Sequence, residues 1–157
     1  METTKPDTDI ILNHDNTAAW EVKFDSEILG SIRGQFIFKT FLNPIEILSA
    51  GKLYRDLLGP NSHEASEQER FLAFSLSQLK YRIVKAPPFW QTDSIVSGNI
   101  PDLNLVSLIL EKAISAESLY KDKLKEKRTK ALETSKNSIA AIQEALNVTE
   151  KGNDQGE

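Results

Sequence analysis

The sequence predicts an α+β fold, mostly helical, in which a small antiparallel β-hairpin packs on three helices and the last helix is long. Three observations predict it. Apolar and polar residues alternate between about residues 19 and 42, the period of a strand with one buried face. From Asn43 onward, apolar residues recur at three- and four-residue steps, the period of amphipathic helices. Asn43-Pro44, Gly59-Pro60 and Pro87-Pro88 punctuate these runs where helices start and stop. A parallel sheet would need more strands, separated by crossover helices, than this chain offers.

A chain of 157 residues corresponds to about one domain. Its net charge of −4 and 27% charged residues do not point to bulk nucleic-acid binding. There is no cysteine, which excludes disulfides, a thiol nucleophile and a thiolate metal site. That composition suits a reducing cytosol or a particle assembled there. Met1 to Asp7 carry no apolar run, so no signal peptide is expected at this end. No stretch approaches the roughly 18–20 apolar residues that span a membrane.

The elements follow in order. Residues 1–18 are polar apart from Ile10-Ile11-Leu12. They read either as a flexible arm anchored by that triplet on a neighbouring subunit or as a short edge strand. Residues 19–120 form the globular α+β domain. Trp20, Val22 and Phe24 alternate with Glu21, Lys23 and Asp25, and the chain breaks between Asp25 and Gly30. In the next run Ile32, Phe36 and Phe38 share one face, with Gly34 expected to mark a bulge. The two runs pair across a turn longer than two residues. A two-stranded sheet is marginal alone, so its apolar face must rest on helices.

The first helix spans 44–58. Asn43 caps it, Pro44 fits the first helical position, and Gly59-Pro60 ends it. Its expected apolar face is Ile47, Ala50, Gly51, Tyr54, Leu57 and Leu58. The second helix spans 67–86 and opens with the capping-box spacing Ser66-x-x-Glu69. Leu72, Leu76, Leu79, Ile83 and Ala86 form its stripe, widened by Phe71, Phe74 and Ser75. Pro87 ends it by disfavouring helical geometry at the preceding residue. The prolines then hold Phe89 and Trp90 extended. Two aromatics on a stiff arm either plug the core or dock on a partner, and residue type does not decide. After a polar loop from Gln91 to Pro101, the last helix runs from about Asp102 to Asn147, with a core face of Leu105, Leu108, Ile109, Ala113, Ala116 and Tyr120.

Residues 121–157 form a charged helical extension with a disordered tail. From Lys121 to Ser138 helix formers dominate, and seven Lys/Arg against three Asp/Glu make this stretch +4. Ile139, Ile142 and Leu146 then restore an apolar stripe. An unbroken helix from 102 to 147 would extend about 65–70 Å, against a radius of gyration near 13 Å for a domain of about 100 residues. The stripe therefore suits a partner's groove, with the basic stretch around Lys127 and Arg128 orienting the encounter. A break near Ser135 to Ser138 would instead let residues 139–147 fold back as a short fourth helix.

Chemical motifs are sparse. His14 and His63 stand apart, and no Asp/Glu/His cluster has ligand spacing, so no metal or other cofactor is expected. No phosphate-binding glycine loop or nucleophile elbow occurs. The scattered carboxylates do not support general acid–base work, so no enzyme is expected. The basic stretch has no interleaved aromatic beyond Tyr120, and a solvated helix face accounts for it without nucleic acid. Lys39 and Arg82, at the junction of sheet and helices, pair with carboxylates inside the domain or across an interface.

Four spaced features belong together: Gly34-x-Phe36-x-x-Lys39, Tyr54-Arg55-x-x-Leu58-Gly59, Leu79-x-x-Arg82-Ile83-x-x-Ala86-Pro87-Pro88-x-Trp90, and Asp102-x-Asn104. Over about residues 30–120 they resemble small virion structural and morphogenesis proteins of tailed bacteriophages, a group that includes tail-assembly chaperones. The resemblance implies a non-enzymatic protein of the virion, in head, neck or tail, assembled in the host cytoplasm. Its implied partners are other phage structural proteins or copies of itself, with no membrane and no small-molecule substrate. The alternative it implies is a chaperone that leaves before the particle matures. No ligand-binding residue transfers with the resemblance. The partner-binding candidates are Phe89, Trp90, Lys127, Arg128, Ile139, Ile142 and Leu146.

Overall fold

The computed structural model describes residues 9–90 and 102–152. Its elements are β1 (Ile10–Leu12), β2 (Thr17–Ser26), β3 (Gly30–Lys39), α1 (Pro44–Leu58), α2 (Glu67–Arg82), β4 (Ile83–Lys85) and α3 (Leu103–Gly152). The fold is α+β and mostly helical. The hairpin forms with Trp20 opposite Phe36 and Val22 opposite Gly34. It is the centre of a four-stranded antiparallel sheet in the order β1-β2-β3-β4. The chain divides into two compact units, Met1–Tyr120 and Lys121–Glu157.

In the first unit the apolar triplet is an edge strand, not an arm. Ile10 pairs with Trp20 and Leu12 with Ala18, and Ile10 is buried. The earlier part of the expected arm, residues 1–8, lies outside the described residues. The turn from β1 to β2 is tied by side chains. The Asp15 carboxylate accepts from the Thr17 amide (3.2 Å) and hydroxyl (2.5 Å). Asn16 takes a left-handed φ of 60°, which asparagine tolerates better than most residues. Its carbonyl accepts from the Thr40 amide (3.1 Å) and hydroxyl (2.7 Å), fixing the end of β3.

β2 and β3 alternate as the pattern requires. Ala18, Trp20 and Val22 on β2, and Ile32, Phe36 and Phe38 on β3, are buried. Phe36 stacks with Trp20 at 5.8 Å and with Phe38 at 5.7 Å between ring centroids. Gly34 does not mark a bulge; the irregularity lies where Ile37 and Phe38 pair with β4. Gly34 is a place of close approach. A Cβ built on it would lie 2.5 Å from Pro87 Cγ. Gly34→Ala is expected to cost about 1–3 kcal/mol of unfolding free energy, the usual range for overpacking, measured as a lowered urea midpoint. An unchanged midpoint would show that Pro87 does not rest on this strand.

α1 has the expected bounds because its signals are local. The Asn43 side chain accepts from the Glu46 amide and Glu46 accepts from the Asn43 amide, the reciprocal cap. Lys39 at the end of β3 pairs with Glu46, so the first turn is fixed to the sheet. The expected side of the helix faces inward except at one end: Ala50 is buried and Gly51, Tyr54, Leu57 and Leu58 are half-buried, joined by Leu53, while Ile47 is exposed.

α2 ends four residues earlier than expected. Its Ser66–Glu69 capping box is present, but the helix stops at Arg82 and residues 83–85 extend as β4. Ile83 then pairs with Phe38 and Lys85 with Ile37. Two adjacent β-branched residues before Pro87 favour extended backbone, and the edge of β3 supplies the hydrogen bonds a further helical turn would have made. Of the residues expected to widen the apolar stripe, Ser75 is buried but Phe71 and Phe74 are exposed; small Ala73 and Ser77 are buried as well. The Ser75 and Ser77 hydroxyls are satisfied by the carbonyls of Phe71 and Phe74, both at 2.7 Å.

Leu76 and Leu79 of α2, Trp90, and Leu105, Val106, Ile109, Leu110, Ala113 and Ala116 of α3 complete the core over the sheet. Asp102 caps α3, accepting from the Asn104 amide at 2.9 Å, and also accepts a hydrogen bond from the Ser26 hydroxyl at 2.7 Å. Arg82 pairs with Glu117 at 2.6 Å, with both side chains largely buried. Both cations at the junction of sheet and helices are therefore paired within the domain.

Candidate functional site

The expected candidates separate into two places. Phe89 and Trp90 belong to the first unit. Trp90 is buried and Phe89 half-buried against the same core. Phe36 meets both edge-on, at 6.1 Å to Phe89 and 5.8 Å to Trp90. The reason is the Pro87–Gly34 contact. It brings the stiff arm down on the sheet, and the tight turn closed by the Trp90 amide on the Pro87 carbonyl (2.9 Å) turns the indole inward. Of the two alternatives, plugging the core or docking on a partner, this packing favours the core, fully for Trp90 and in part for Phe89.

Lys127, Arg128, Ile139, Ile142 and Leu146 lie in the second unit. Here α3 continues without interruption to Gly152, so Ser135 to Ser138 is not a break. Leu, Ala, Lys and Glu favour this helix, and its Ser/Thr hydroxyls are accommodated by bonding back one turn. Thr129 donates to the Lys125 carbonyl (3.0 Å), Thr134 to Lys130 (2.9 Å) and Ser138 to Thr134 (3.0 Å). Every residue from Lys125 to Val148 is exposed. Among them Leu132 (63%), Ile139 (56%), Ile142 (61%) and Leu146 (61%) carry large apolar surface in water. Ile139, Ile142 and Leu146 follow at steps of three and four residues and Leu132 lies seven before Ile139, so the four share one helical stripe. The sequence reading counted Ile139, Ile142 and Leu146 as the stripe and did not include Leu132, which lies one heptad before Ile139.

The ionised groups around the stripe are solvated. Lys125 pairs with Asp122 at 3.7 Å, with both side chains exposed. Exposed pairs of this kind contribute about 0–1 kcal/mol. An isolated helix with so little holding it is marginal in water, because nucleation is costly and only packing of the apolar face repays it.

The first unit also has an open groove of about 780 Å³ near Ile11, Trp20, Glu21, Lys23, Gln35 and Lys112. Its Glu21 and Lys23 face each other at 3.9 Å in solvent. Among the described residues no three His, Asp or Glu side chains come together as a metal-binding group. Among the described residues the carboxylates with shifted pKa values are lowered, each chiefly by a structural hydrogen bond. The Thr17 hydroxyl lowers Asp15, Lys39 lowers Glu46, the Ser66 amide lowers Glu69, and the Ser26 hydroxyl lowers Asp102. These groups hold turns and helix ends as carboxylates; a general acid near neutral pH would need the opposite shift. Among the described residues no helix is long and apolar enough to cross a membrane. No family model, curated protein or solved structure matches the chain.

Proposed function

We propose that this chain is a non-enzymatic assembly protein of a tailed bacteriophage that stays in the virion and acts through protein–protein contacts. The phage setting rests on the resemblance over residues 30–120. The contact surface rests on one observation: a continuous helical extension whose apolar stripe is exposed along its length. Monomeric proteins rarely leave contiguous apolar surface uncovered unless something binds it. The globular unit holds its place in an assembly, and the extension reaches the neighbour. The basic stretch speeds encounter with an acidic surface, in a way that salt weakens.

Deleting residues 121–157 tests this reading. The truncated chain is expected to remain folded, since the core residues all lie at or before Ala116, and to be lost from purified particles. Mass spectrometry of those particles reads the outcome. A truncated chain incorporated at the normal level overturns the interface. A full-length chain absent from mature particles but needed for their formation identifies a chaperone instead.

A further inference from the structure

We infer that the open edge of β2 is a strand-acceptor site, filled by residues 5–8 of the same chain as a continuation of β1. β1 pairs with β2 only from Ala18 to Trp20, and among the described residues no strand pairs with Glu21–Ser26 on that side. The Asn16 carbonyl accepts from the Thr40 amide after β3, and the Thr17 carbonyl accepts from the Asn13 amide after β1. Hydrogen-bonding groups alternate between the two edges of an antiparallel strand. Even-numbered residues of β2 therefore bond to β3, and odd-numbered ones point to the β1 side. Lys23 and Asp25 present their amides and carbonyls at an edge that β1 no longer covers. Such an edge is a template for another strand. The open groove of about 780 Å³ lies beside it, lined by Asp9, Glu21 and Lys23 together with Leu108 of α3.

Register, proline and charge choose the occupant. Ile10 opposite Trp20 fixes the count, so the preceding residues fall with Thr8 opposite Val22, Asp7 opposite Lys23, Pro6 opposite Phe24 and Lys5 opposite Asp25. Asp7 with Lys23 and Lys5 with Asp25 are opposite charges, and directly opposed pairs of this kind are favourable. The like-charged Asp9 and Glu21 come between them and β1, with Lys23 at 3.9 Å from Glu21. Pro6 falls at a position whose N–H would point to solvent, where an edge strand accepts proline. It shares a face with Phe24, which the described residues leave half-buried. A slip of one residue would put Pro6 where β2 needs a donor. Residues 5–8 join β1 with no intervening loop except Asp9, so their effective concentration at this edge exceeds that of any second copy. Closed in this way, the edge does not recruit strands from other chains.

Amide hydrogen exchange tests this in the full-length chain. The Lys23 and Asp25 amides are expected to exchange about tenfold more slowly than in a chain lacking residues 2–8, while Val22 and Phe24, bonded to β3, keep their protection in both. Free exchange at Lys23 and Asp25 in the full-length chain overturns the inference, whether or not the shortened chain folds. Asp7→Lys sets two cations opposite each other and should speed exchange at Lys23 and Asp25 about threefold; equal exchange overturns the register. The chain has no native cysteine, so a spin label on Thr4→Cys is unique. Labelled chain mixed with unlabelled, isotope-enriched chain is expected to leave the enriched Lys23 and Asp25 resonances sharp. Broadening in that mixture means that a second copy supplies the strand, and overturns closure by the chain itself.

Discussion

Trp90→Ala is expected to lower the unfolding free energy by about 3–5 kcal/mol, the range for removing a large buried aromatic. Trp90 is buried where the arm after β4 comes down on the sheet, with its ring edge-on to Phe36. Phe36 in turn stacks on Trp20 and Phe38, so the indole closes an aromatic cluster built across β2 and β3. Aromatic pairs of this geometry contribute about 0.5–1.5 kcal/mol beyond their buried area. Removing the side chain leaves a cavity that neither the paired strands nor two consecutive prolines can easily collapse into. The indole N–H finds no acceptor among the described residues, so Trp90→Phe gives up volume but no hydrogen bond and should cost much less. Urea unfolding of both variants separates the two effects. A Trp90→Ala chain of normal stability that fails only in assembly would return this residue to an interface.

The residues that were legible in the sequence are those whose partners are near in the chain. Asn43 with Glu46 and Ser66 with Glu69 cap their helices within one turn, so both starts could be read directly. The alternation of β2 and β3 is likewise local. β1 and β4 were harder to read because three-residue strands have almost no pattern of their own. They exist because the edges of β2 and β3 offer backbone partners. Gly34 looked like a defect in a strand because its reason, Pro87, is far along the chain. The central stripes of α1 and α2 were legible, but their margins were not: Ile47, Phe71 and Phe74 fit the helical period yet are exposed, because how far burial spreads around a helix is decided by where it is anchored, here by Lys39–Glu46 and by β4. In the extension the apolar positions were legible. Its continuity past Ser135 was not, because serine and threonine are neutral to unfavourable in helices until their hydroxyls bond back a turn.

Leu79→Ala and Leu146→Ala should give opposite results although they delete the same atoms. Leu79 is fully buried on α2, packed in the cluster that joins the sheet to α3. Its loss removes buried methyl and methylene groups and leaves a cavity, so about 2–5 kcal/mol is expected from the globular unit. Leu146 is 61% exposed on the extension. Surface substitutions usually fall within about 0.5 kcal/mol, so the unfolding midpoint of dilute monomer should hardly move. Its effect should appear only where the stripe is covered, as lower incorporation into particles. The pair thus divides the chain's apolar residues into those that build the domain and those that join it to something else. Unfolding curves of the dilute chain, set beside its level in purified particles, measure both. If Leu146→Ala also destabilises the dilute chain by more than about 1 kcal/mol, beyond the usual range for a surface substitution, the stripe is part of the chain's own core and the interface reading is wrong.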